Sequence, residues 1–264
     1  MILRLLVPFA AALALVPAAL AAYPAPYAAQ GADAALPSLD GSLRFLTFAA
    51  GTDTQVVARR ASGGATVLTR TVTGAFGVPM LTQSGLAGGM FHDGSSFVLQ
   101  SVGFADTTHF AIVATQDLSL RDTIDLKGTF GFDALSPDGA TLYLIQHTTT
   151  QDLAHYIVRA YDLRTHTLVP GRIADKTQKS WVMQGWAVSR ATTPDGHWAY
   201  TLYANPGGYP FIHALDTVRG VAHCIGLPWT ATSQDPVFNF HLVLKPGAVA
   251  VERPDGSTWR RIKR

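Results

Sequence analysis

One cysteine in 264 residues, Cys224, excludes an internal disulfide. Stability must then come from strand pairing and core packing. Charge is sparse as well: Asp, Glu, Lys and Arg make up 14% of the chain, and the formal net charge is +2. That balance provides no electrostatic footprint for nucleic acid. The one basic cluster, Trp259-Arg260-Arg261-Ile262-Lys263-Arg264, reads as a solvated tail. Nine histidines show no Cys-x-x-Cys or His-Glu-x-x-His spacing, so neither a metal nor a cofactor is expected. Ser136 and Ser189 lie beside turns and strands, outside any Gly-x-Ser-x-Gly elbow. Beyond the first residues, no apolar run approaches the roughly twenty positions that a membrane helix needs.

The start of the chain is different. Met1-Ile2-Leu3-Arg4 carries one positive charge, Leu5 to Val16 is apolar, and Ala19-Leu20-Ala21 is a small-x-small cleavage signature. Residues 1–21 therefore read as an export signal cleaved after Ala21, with a secreted or periplasm-type destination. The Ala-, Pro- and Gly-rich stretch 22–37 reads as a flexible leader, and 38–264 as a single domain.

What is abundant is a repeated turn. Ser136-Pro137-Asp138-Gly139 lies between Phe132-Asp133-Ala134-Leu135 and Leu142-Tyr143-Leu144-Ile145, and Thr193-Pro194-Asp195-Gly196 lies between Trp186-Ala187-Val188 and Trp198-Ala199-Tyr200. Proline presets φ, Asp bonds its own backbone, and Gly supplies positive φ, so Asp138, Gly139, Asp195 and Gly196 are read as structural turn residues. Weaker copies are Phe91-His92-Asp93-Gly94 and Leu39-Asp40-Gly41. After each turn come a second, a third and a short fourth apolar run, the third ending on an Asp suited to an Asx turn in three units, at Asp117, Asp162 and Asp216. Four strands per unit, repeating at about 45 to 57 residues, is the signature of an all-β propeller. A β-sandwich also shows even turn spacing, but not a four-strand unit with recurrent turn chemistry. The units suggest about five blades. The last, after His241, has three strands and is either incomplete or closed by the N-terminal segment.

Most acids are absorbed by turns, which leaves Asp133, Asp175 and Asp235. Asp133 belongs to the first strand of its unit, the innermost in a propeller, where a carboxylate would face the central channel. The aromatics Trp181 and Tyr209 fall in dissimilar connections and are the candidate contact residues for a partner. Cys224, flanked by apolar residues, reads as core, and His213 as a strand residue pairing with a neighbouring blade.

The stretch Phe132 to Leu144 resembles the exported YVTN/WD40-like propeller repeats of bacteria, and Thr192 to Thr217 is similar to uncharacterised propeller proteins of high-GC actinobacteria. The chain lacks the Gly-His and Trp-Asp pairs of WD40 repeats, so eukaryotic scaffold roles do not follow. The resemblance implies a fold and a compartment, with no catalytic residues. Two classes of function remain. One is a secreted, non-enzymatic, monomeric propeller binding an extracellular protein, peptide or glycan through a rim. The other is an exported hydrolase or lyase acting on a polysaccharide or small ester. Convergent acids or a His–acid pair in the channel would favour the second.

Overall fold

A computed structural model describes residues 26–175, 182–205, 208–231 and 234–263. It is all-β, with five antiparallel sheets following one another along the chain. The first blade contains β2 (Leu36–Pro37), β3 (Leu43–Ala50), β4 (Asp53–Arg60) and β5 (Thr66–Val72). The second contains β6 (Phe76–Met80), β7 (Ser96–Ser101), β8 (Thr107–Ala114) and β9 (Leu120–Lys127), joined by β1 (Tyr27–Ala29). The third has β10 (Phe130–Leu135), β11 (Thr141–His147), β12 (His155–Asp162) and β13 (Thr167–Leu168), with β14 (Met183–Gln184) also on β12. The fourth runs β15 (Trp186–Thr192), β16 (Trp198–Ala204), β17 (Phe211–Asp216) and β18 (Val221–Gly226). The fifth keeps three strands among the described residues: β19 (His241–Lys245), β20 (Ala248–Glu252) and β21 (Thr258–Lys263).

The turns repeat in atomic detail. Ser136 Oγ donates to Asp138 Oδ1 (2.6 Å), the Ala140 N–H donates to the same oxygen (3.1 Å), and the Thr141 N–H donates to Ser136 Oγ (2.9 Å). Thr193, Asp195, His197 and Trp198 reproduce this at 2.5, 3.1 and 2.9 Å, and Ser38, Asp40, Ser42 and Leu43 at 2.6, 3.0 and 2.9 Å. The same hydroxyl and amide donors hold the carboxyls of Asp138 and Asp195 below the usual range. Third strands end as expected: Asp162 accepts from the Arg164 and Thr165 amides, and Asp216 from those of Val218 and Arg219. The fifth blade departs from the pattern. Its Asp255-Gly256 turn joins second and third strands, not first and second, and so lies on the opposite rim.

Packing follows from this repetition. A strand with neighbouring blades on both faces loses its alternation, and β10 is buried along its whole length. One cluster packs the first blade on the second, with Phe45 stacked on Phe97 at 4.7 Å. Others join the second to the third, the third to the fourth, and the fourth to the fifth. Phe110, Ile124, Leu142 and Leu144 are at most 1% exposed. Each such side chain contributes about 1.5–3 kcal/mol by leaving water.

One expectation for the N-terminal segment is corrected. Residues 26–37 are not a leader outside the fold, because they supply β1 and β2. Of the two arrangements expected for the fifth blade, the described residues show the incomplete one, and β1 pairs instead with β6 in the second blade, with Ala28 opposite Pro79. The reason lies in two glycines. A Cβ at Gly77 would stand 2.7 Å from the Ala29 carbonyl oxygen, and one at Gly131 would stand 2.4 Å from Pro26 Cγ. Their bare backbones leave room on the inner edges of β6 and β10 for another strand.

Candidate functional site

Asp133 is the extra residue of a β-bulge: Phe132 pairs with Leu144 and Ala134 with Tyr143, leaving Asp133 without an opposite number. Such a bulge redirects a side chain. Here the carboxylate reaches the adjacent blade. Arg190 Nη1 donates to Asp133 Oδ1 and, at 3.0 Å, to Thr201 Oγ1, while Nη2 donates to the Asp133 carbonyl at 2.8 Å. The two side chains are 4% and 5% exposed. Both border a hollow of about 440 Å³ between the inner strands, whose walls include Leu36, Leu81, Leu86, Phe132 and Leu135. Gly196 also lines it, so the hollow opens on the rim that carries the repeated turns.

Arg190 was not among the sequence candidates, yet a signal for it exists. Asp133 stands three residues before Ser136, and Arg190 three before Thr193, so the two fill the same repeat position in adjacent blades. In the first two units that position is Ala35 and Gly88. The charges thus occur only where two neighbouring blades can neutralise them.

On the opposite rim, Tyr209 is 64% exposed. Its loop is fixed by Gln234, which accepts from the Asn205 N–H (2.7 Å) and donates to the Asn205 and Gly208 carbonyls (2.6 and 2.7 Å). Tyr209 borders a hollow of about 430 Å³ with Leu227, Pro228 and Trp229. Trp229 stands edge-on to Trp259 at 5.6 Å and against Phe240 at 6.3 Å. Nothing in the strand pattern marked Trp229, which follows Pro228 in an irregular connection. Trp181 lies outside the described residues.

His213, on β17, faces Cys224 of its own blade, with Nδ1 and Sγ 3.7 Å apart, and the Asp133 carboxylate of the third blade acts on it electrostatically. Burial pulls the His213 pKa down to about 4 and, with the nearby Asp175 carboxylate, pushes the Cys224 thiol up to about 12. A neutral imidazole beside a protonated thiol is no nucleophilic pair. Asp175 accepts the Cys224 N–H at 3.1 Å. Asp235 opens a short 3-10 turn, Asp235–Asn239. Among the described residues, no group of three or more His, Cys, Asp or Glu side chains is arranged to hold a metal ion. No described helix is long and apolar enough to cross a membrane.

No family model and no curated protein matches the chain. Among solved structures, TolB from Acinetobacter baumannii is 11% identical with a TM-score of 0.47, over 88% of this chain and 54% of that one. The chain thus spans about half the length of that TolB. The Dos1 propeller is 8% identical with a TM-score of 0.45, over 86% and 57% of the two chains. Puromycin hydrolase is 16% identical with a TM-score of 0.47, over 85% and 32%. At these levels the likenesses assign no function, and the chain's own five sheets establish it as an all-β propeller.

Proposed function

We propose that the protein is an exported, non-enzymatic propeller of the YVTN-like kind, monomeric, which binds an extracellular protein, peptide or glycan through the rim carrying Tyr209. The signal peptide is residues 1–21, and cleavage after Ala21 leaves β1 on the mature chain. The observation that carries the reading is an exposed Tyr209 ring on a clamped loop, beside the anchored Trp229. A large ring on a fixed backbone gives contact area at little cost in entropy. Trp181 is part of the same reading on sequence grounds.

Binding is preferred to hydrolase or lyase chemistry because of Asp133. It is the one acid among the described residues that line the inner hollow, and Arg190 holds its Oδ1. Glycoside cleavage needs two carboxyl groups facing one bond, and acyl transfer needs an activated nucleophile. The test is capture from culture supernatant and cell-wall fractions by wild type and by the Trp181→Ala/Tyr209→Ala double variant, beside a polysaccharide and ester hydrolysis screen. The double variant should fold and capture less. Equal capture, or turnover by the wild type, would overturn the reading. N-terminal sequencing of exported material should begin at Ala22.

A further inference from the structure

We propose that the open edge of the fifth blade is a docking site for an acidic, extended peptide of a partner protein, which pairs with β21 as the blade's fourth strand. This site stands on other residues than the Tyr209 rim and is independent of what that rim binds.

The basic cluster that ends the sequence is a strand and not a tail. It forms β21, which pairs with β20 on one side, and no described strand pairs with its other side. The other four blades carry at least four strands each. An edge left this way presents backbone N–H and C=O groups with which an extended chain can pair. Ile262 of β21 and Ile225 of β18, the outer strand next door, pack on the core between the fourth and fifth blades and are only partly buried. An apolar side chain set beside Ile262 by an added strand would extend that core.

Charge selects the rest of the sequence. Side chains alternate along a strand, so Arg261 and Lys263, opposite Ala250 and Ala248, stand on the face away from Ile262. Both are exposed, and Arg261 Nη2 donates to a neutral partner, the Pro246 carbonyl, at 3.1 Å. The ion pairs that lysine and arginine make among the described residues lie elsewhere, at Arg164, Arg190, Arg219 and Lys245. Carboxylates directly across from Arg261 and Lys263 would be favourable, whereas like charges there are not. A second copy of this chain, joined edge to edge through β21, would set arginine and lysine against their own kind. The charge that invites an acidic strand therefore turns self-association away.

The test is fluorescence anisotropy with a labelled, end-capped heptapeptide of alternating Glu and Val, and a Lys/Val peptide as the control of opposite sign. The protein should bind the Glu/Val peptide, more weakly as salt rises, and ignore the Lys/Val peptide. Arg261→Glu/Lys263→Glu should weaken Glu/Val binding about tenfold or more and accept the Lys/Val peptide instead. Methylating the Glu nitrogens and the Val nitrogens in separate peptides should give opposite results, because only one set faces β21 in a strand pairing. Should the charge-reversed variant fail to fold, the methylated peptides on unaltered protein decide the matter. No binding of the Glu/Val peptide, equal binding of the Lys/Val peptide, equal effects of the two methylations, or a dimer of the free protein that the charge reversal alters would each overturn the proposal.

Discussion

His92 rests directly on Gly196: a Cβ at Gly196 would lie 2.0 Å from the imidazole Nε2. The second blade's turn therefore packs against the fourth's, and the glycine is required both for its φ of 70° and for the ring above it. Gly41 has the same φ, with nothing within 4 Å of its missing Cβ. Gly41→Ala should cost about 1–2 kcal/mol, the strain of the left-handed conformation alone. Gly196→Ala should cost more, because His92 must also move. Urea unfolding of the two variants checks this, and equal losses would show that the contact is energetically idle.

Acid should weaken the fold before the carboxylates titrate. Burial lowers the pKa of both His147 and His213 to about 4, while in the unfolded chain each binds a proton near 6.5. Their native environments thus favour the folded state fully above 6.5, and that contribution falls away as pH drops towards 4. The loss is at most roughly 3 kcal/mol for each histidine. The turn carboxylates, with lowered values, act in a different window: their support holds above the ordinary Asp value and is lost below it. Unfolding midpoints at pH 7.5 and 5 should differ, and His213→Gln should shrink the difference. A flat profile in wild type would refute this.

Asp133→Ala should destabilise the protein strongly, by about 3–5 kcal/mol, because Arg190 would keep its charge in a buried place without a counter-ion. The double variant Asp133→Leu/Arg190→Met should recover most of that loss. A double-mutant cycle built on urea unfolding measures the coupling, and additive single losses would argue against it.

Gly77→Ala should expel the N-terminal strand. The methyl group has backbone atoms of Ala29 within 3 Å and no flexible side chain to displace. Hydrogen exchange at Tyr27, Ala28 and Ala29 should accelerate, while β7 and β8 stay protected. Uniform loss of protection across the second blade would instead mean that β1 and that blade open together.

The blades were legible because turn chemistry and apolar runs recur together, and Asp138 and Asp195 do what their neighbours in sequence imply. What escaped notice has no local signature. Phe76-Gly77-Val78-Pro79-Met80 contains the two residues least suited to a strand, and it is tolerated because Gly77 leaves space for Ala29. Three-residue β1 has no periodicity to detect. Asp133 was visible as an acid without a turn to explain it, but its partner came from another unit and emerges only when the two repeats are aligned on their turns. Of the rim, Tyr209 could be read from its loop, whereas Trp229 is placed by tertiary contacts with Trp259 and Phe240.

The pairing of β1 with β6 has a topological consequence. Everything between these antiparallel neighbours, residues 30–75, is the first blade together with its connections. That blade is thus a large loop inserted into a two-stranded ribbon, and it is tethered to the second blade at both its entry and its exit. The first described strand is thereby latched about fifty residues downstream. The first blade is therefore closed by strand pairing, whereas the fifth is held to the fourth by side-chain packing such as Val249 and Val251 against Val188 and Leu202.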